Sequence, residues 1–191
     1  MTLHDSLVKL KQLGINIAEP VLNIEKTETP EVRELLEQVF SATMAAFKSR
    51  DLKGVIRTQN RHENFTPLSV EELEAFFQDK KFSEDFVLFK YPKNSELLLH
   101  GYCIPNAYFN VYQFSNTSGN FRVLWGSDVD ERGFLNNAPG YRKTIDKINS
   151  ILVNRVRGNL EDCEIEFAIF DKPAGVNGEP VTFWGYRSLA G

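Results

Sequence analysis

The sequence predicts an α+β fold: an antiparallel sheet of five or more strands packed against amphipathic helices, with the N-terminal part mainly helical. Three observations carry this expectation. Up to about residue 80, apolar residues recur at three- and four-residue spacing, the period of a helix that buries one face. From Phe82 onward the pattern changes to alternating or continuous apolar runs rich in aromatic and β-branched residues, which suit a pleated, half-buried surface. The links between later runs, Pro105-Asn106 and Ser115 to Gly119, are of hairpin length and made of turn formers, so successive strands should run antiparallel.

Taken in order, Leu3, Leu7, Leu10 and Leu13 form the stripe of a first helix that stops at Gly14, a residue able to take the left-handed C′ conformation. Residues 15 to 28 carry Ile15, Ile17, Val21, Leu22 and Ile24 without helical spacing and read as an extended packing segment or a short strand. Thr29 suits the N-cap and Pro30 the first turn of a second helix. On that helix Val32, Leu35, Leu36, Val39, Phe40, Met44 and Phe47 read as one apolar stripe. Ser69-Val-Glu-Glu72 is a capping box opening a third helix, with Val70, Leu73, Phe76 and Phe77 on one face. Strands follow near 85–91, 96–104, 107–115 and 120–126. A loop to Gly140 then leads into a helix from about Tyr141 to Arg157, ended by Gly158, and two strands near 163–170 and 180–187 complete the pattern. The sheet is expected to pack on the helices at 30–49 and 141–157.

The 191 residues fit one domain, 1–191, with a helical part at about 1–80 and a sheet-rich part at about 82–191. With 42% hydrophobic residues and fifteen Phe, the chain can build a core without staples. Two cysteines are too few for a disulfide framework and read as reduced. No basic stretch followed by an apolar one opens the chain, and no apolar run approaches the roughly 18 residues needed to cross a bilayer. The expected location is therefore the cytoplasm, without membrane contact. A net charge of −4 argues against a general nucleic-acid binder.

Motifs for dinucleotides, phosphate loops and zinc are missing from the sequence, so neither a cofactor nor a metal is expected. The loop opening Asp128-Val-Asp130-Glu-Arg132-Gly133 starts like a calcium loop, but Arg132 and Pro139 stand where oxygen ligands belong. His100 and Cys103 are three apart on a strand and face opposite ways, which rules out a thiolate–imidazole couple. Pairing 96–104 with 107–115 through Pro105-Asn106 would align Cys103 with Tyr108, Gly101 with Asn110 and Leu99 with Tyr112. Cys103, Tyr108, Asn110 and Tyr112 then form a candidate ligand-binding face, apolar walls with a few polar tips. The alternative is a sheet edge whose tyrosines reach solvent.

Glu164-Ile-Glu166, entering the strand Phe167-Ala-Ile-Phe170, resembles one element of the ADP-ribosyltransferase family. Leu98-Leu99-His100-Gly101 is similar to the first-strand His-Gly of the subgroup that uses His, Tyr and Glu, and Arg132-Gly133-Phe134-Leu135 ahead of Tyr141 resembles the segment carrying its Tyr. The resemblance implies candidate catalytic residues His100, Tyr141 and Glu166 acting on NAD, with Glu166 orienting the nicotinamide ribose. Read from the residues alone, the same stretch is a half-exposed strand with its acids outward and Ile165, Phe167 and Ile169 inward.

With no complete catalytic constellation, the expectation is a non-enzymatic cytosolic interaction or regulatory protein. The alternative is a small-ligand-binding protein, or an enzyme similar to the ADP-ribosyltransferases. The expected partner is a protein. A candidate docking stripe lies on the helix from Tyr141, where Lys143, Lys147 and Arg157 project from a segment holding one acid, Asp146. That stripe would steer an acidic protein or a nucleic-acid backbone.

Overall fold

Helix α1 (Leu3–Gln12) ends where the sequence places its stop, with Gly14 at φ +74°. It belongs to a computed structural model that describes residues 1–58, 65–80, 82–103, 111–114, 121–125, 148, 150–156, 158–161 and 163–189. The chain forms two compact units, one built from Glu19–Asn94 with Thr2–His4, the other from Asp5–Ala18 and Ser95–Gly191 with Met1.

The first unit holds β1 (Pro20–Ile24), α2 (Pro30–Ser49), β2 (Gly54–Thr58), α3 (Val70–Lys80) and β3 (Phe86–Lys90). Its three strands make an antiparallel sheet in the order β1-β3-β2, in register at Ile24↔Phe86 and Ile56↔Leu88. One sheet face places Leu22, Ile24, Ile56, Phe86 and Leu88 against Phe40, Met44 and Phe47 of α2 and Val70, Leu73 and Phe77 of α3. Phe40 and Phe77 stack with centroids 4.0 Å apart, and Phe82 meets Phe77 edge-on at 5.5 Å. Each such buried ring or leucine contributes roughly 1.5–3 kcal/mol, so this seam fixes the two helices on the sheet. The opposite face carries Val55, Arg57, Val87 and Phe89, also buried.

The helix starts divide. At α3 the capping box forms in full: the Ser69 N–H donates to Glu72 Oε1 and the Glu72 N–H to Ser69 Oγ, both at 3.2 Å. At α2, Thr29 occupies the N-cap with extended backbone and Pro30 follows in the first turn, but the Thr29 hydroxyl makes no capping bond; its N–H instead donates to Thr27 Oγ1. Pro30 lacks an N–H to be capped, which lowers the demand on that hydroxyl.

The second unit contains β4 (Leu97–Cys103), β5 (Val111–Phe114), β6 (Phe121–Trp125), β7 (Cys163–Ala174) and β8 (Glu179–Ser188). β4, β7 and β8 form an antiparallel sheet with β7 in the middle, and β5 pairs with β6. Among the described residues the strands form two three-stranded antiparallel sheets and a strand pair, and five or more strands in one sheet are not seen there. β3, expected beside the later strands, pairs instead with β1, from the segment expected to be extended, and with β2, where no strand was expected. These two occupy both edges of β3, which therefore cannot join the later strands.

Residues 15–18 run extended beside β8 as a parallel bridge, Ile17↔Phe183, held by Ala18 N–H to Phe183 O and Phe183 N–H to Asn16 O, each 2.9 Å. The buried Asn16 amide donates to Ala174 O (2.9 Å) and Val181 O (2.8 Å), and its Oδ1 accepts from the Asn177 N–H (2.8 Å). It thereby grips the β7–β8 turn. Gly175 in that turn has φ +78°, and a Cβ there would sit 2.6 Å from Asn16 Oδ1, so only glycine fits. Of the helix expected at 141–157, the described part ends in a π-turn, Leu152–Val156, with Ile148, Leu152 and Val156 buried as their spacing predicts.

Candidate functional site

Two places in the described residues combine unusual chemistry or exposure. The first is one face of the β4-β7-β8 sheet. β4 aligns His100 with Ala168 and Tyr102 with Glu166, and β8 aligns Thr182 with Ala168, so strand alternation brings His100, Tyr102, Glu166 and Thr182 to a common side. His100 Nε2 lies 2.9 Å from Glu166 Oε2, with side chains 2% and 0% exposed. The Tyr102 ring stands edge-on to the imidazole at 5.3 Å. Further along, Trp184 Nε1 donates to Thr182 Oγ1 (2.9 Å), and that hydroxyl donates to Ala168 O (3.2 Å). These hydrogen bonds join polar groups out of reach of water, where leaving one unpaired is costly.

This corrects the expectation of outward acids. Glu166 sits on the central strand, flanked by β4 and β8, and is fully buried, whereas Ile165, Phe167 and Ile169 take the other side as expected. Burying a carboxylate demands a partner, and His100 supplies it from the next strand. A carboxylate–imidazole couple at 2.9 Å can hold a ring tautomer or pass a proton, but neither group here presents surface to a ligand.

Of the residues singled out by sequence, His100 and Glu166 are brought into contact among the described residues. Cys103 ends β4 opposite Ile165, and Tyr112 lies in β5 opposite Val123. Tyr108, Asn110, Tyr141, Lys143, Lys147 and Arg157 lie outside the described residues, as does the 128–139 loop. Cys163, at the start of β7, is buried and outside any disulfide. No group of three His, Cys, Asp or Glu that could hold a metal ion occurs among the described residues, and none of the described helices is long and apolar enough to cross a membrane.

The second place is α2. At about 100° per residue, its seven apolar positions cover an arc too wide for a single contact. The structure splits them: Phe40, Met44 and Phe47 are buried, whereas Val32, Leu35 and Val39 are 41%, 58% and 40% exposed. Ala42 and Ala46, also exposed, prolong that second stripe toward the C-terminal end of the helix. On the other flank, α2 and α3 border a groove of about 510 Å³, rimmed by Glu37, Glu74 and Lys48. Its floor residues Phe40, Met44, Val70 and Phe77 are each at most 8% exposed, so the groove offers far less apolar surface than the stripe. The sequence signal for the stripe was the excess width of the apolar arc, which a reading as one face conceals.

No protein-family model and no curated protein matches the chain. Among solved structures it is similar to the ATP-grasp ligase PsnB complexed with minimal precursor, at 14% identity and a TM-score of 0.40, covering 100% of this chain and 52% of that one. It is also similar to the D-alanine–D-alanine ligase from Bacillus anthracis, at 12% identity and a TM-score of 0.38, covering 98% and 56%. The chain thus spans about half the length of these structures, and at such scores the likeness assigns neither fold nor activity.

Proposed function

We propose that this chain works as a protein-interaction or regulatory module and that the exposed apolar stripe of α2 is its docking face. The observation that carries the reading is the exposure of Val32, Leu35 and Val39 on a helix whose other apolar face is already buried. Single exposed apolar residues are ordinary, but a contiguous row of them marks a contact surface. Fully burying one such side chain yields roughly 1.5–3 kcal/mol. These three begin about half covered, so docking gains several kcal/mol in all before the cost of association, which fits a reversible, regulatory contact.

A benzophenone amino acid placed at Leu35 is expected to cross-link a protein in the native cell, whereas the same group at exposed Glu25 is not. Leu35→Lys with Val39→Lys should abolish the complex and leave the melting curve unchanged. Absence of any cross-link from Leu35 and Val39 alike removes this face as a docking site.

A second reading, NAD chemistry at His100 and Glu166, has their 2.9 Å contact in its favour. Their burial counts against it, because a residue that orients a ribose must touch it. Calorimetric titration with NAD is expected to give no heat for wild type or Glu166→Gln; heat in wild type that Glu166→Gln loses would restore the enzyme reading.

A further inference from the structure

Resting on the docking reading above, we propose that the occupant of the α2 stripe is a second copy of this chain, the two helices packing antiparallel about a two-fold axis near Val39. The stripe is graded in size. Its first half carries Val32, Leu35 and Val39, and its second half Ala42 and Ala46. An antiparallel pair centred on Val39 sets Val32 against Ala46, and Leu35 against Thr43 with Ala42 beside it. Val32 and Leu35 then meet smaller residues, Val39 meets its own copy at the axis, and the backbones approach closely. A parallel pair sets Leu35 against Leu35 and Ala46 against Ala46, crowding one end and leaving a void at the other. A two-fold contact repeats each pairing, since residue i of one copy meets j of the other and j meets i.

Charge follows the same polarity. Exposed Glu28 and Glu31 stand at the start of α2 on the stripe's side, and exposed Arg50, as far from Val39 as Glu28, stands just past its end, followed by exposed Asp51. Antiparallel packing brings acid against base at both ends, and parallel packing brings like against like. Of the basic residues near the start, Lys26 and Arg33, the latter is engaged within its own chain, its guanidinium 5.7 Å over the Phe82 ring and its Nε–H donating to Thr27 O. Exposed pairs of this kind add little affinity but select orientation. The stripe from Val32 to Ala46 is about 21 Å long at 1.5 Å per residue, and one helix face of that length falls in the weak, transient class of interfaces. The pairing should therefore depend on concentration.

Sedimentation velocity of the full chain should show the mass rising from 21.8 kDa toward twice that value as concentration increases. Leu35→Glu with Val39→Glu should hold it at the monomer mass, with far-ultraviolet circular dichroism unchanged. Orientation is read by cysteine cross-linking. Val39→Cys should give a disulfide-linked dimer, and Ala46→Cys alone should not, whereas Ala46→Cys mixed with Val32→Cys should. Ready self-cross-linking of Ala46→Cys overturns the antiparallel arrangement, and a dimer that survives the two glutamates lies elsewhere and overturns the proposal. A wild type that stays monomeric at every concentration also overturns it. In that case a benzophenone cross-link from Leu35 to a different protein leaves the docking reading standing, and no cross-link at all removes both.

Discussion

Glu166 and His100 hold each other where water does not reach, and that makes each a liability to the other. Removing one partner of a buried pair typically costs about 3–5 kcal/mol, because the remaining group stays buried without its counterpart. Glu166→Ala should therefore lower the melting temperature by roughly 10 °C, at about 2–4 °C per kcal/mol for a chain of this size. Replacing both with apolar residues of similar volume, His100→Leu with Glu166→Met, should recover most of the loss. Thermal denaturation followed by circular dichroism decides it, and a Glu166→Ala protein that melts like wild type would show that the pair supports nothing. Alternation in the sequence gave the side of the sheet that Ile165, Phe167 and Ile169 take, but not the burial of Glu166. That depends on a strand 66 positions away supplying His100, and residue spacing within β7 carries no trace of it.

At the scale of elements, legibility follows how local the cause is. The capping box of α3 and the glycine stop of α1 are settled within a few residues, and both are where the sequence places them. β2 is not, because Gly54-Val-Ile-Arg-Thr58 breaks apolar alternation with an arginine that the structure buries completely. Arg57 is tolerated there partly by lying over the Phe65 ring, 5.2 Å from its centroid, a contact invisible in sequence. Gly54 anchors this strand from both sides: it exchanges backbone hydrogen bonds with Leu68 at 3.0 and 2.7 Å while pairing with Lys90 of β3. A Cβ at Gly54 would approach Leu88 Cδ1 to 2.7 Å and Phe89 O to 3.1 Å. Leu88 can shift and the backbone oxygen cannot, so Gly54→Val should cost about 1–3 kcal/mol as overpacking and lower the urea midpoint, with Gly54→Ala between it and wild type. Equal midpoints for all three would contradict the close approach.

For the molecule as a whole, composition and periodicity were enough for the α+β class, since they record how many helices and strands must bury a face. They do not record which strands share a sheet, because ladder partners are chosen by long-range geometry: β3 is claimed by β1 and β2, and β4 by β7. The grip of Asn16 on Ala174 and Val181 spans 158 and 165 positions of sequence, and it has a consequence in time. A ribosome adding roughly 5–20 residues per second releases Asn16, Ile15 and Ile17 about ten to thirty seconds before their partners exist. Residues 19–94, by contrast, emerge as one uninterrupted stretch. During that interval the early segment offers chaperones an apolar strand with unmet backbone groups. A nascent chain arrested near residue 150 should thus show residues 19–94 resisting protease while 5–18 are cut. Extension past β8 should protect both, and protection of 5–18 before β8 emerges would mean that something other than the hairpin shelters it.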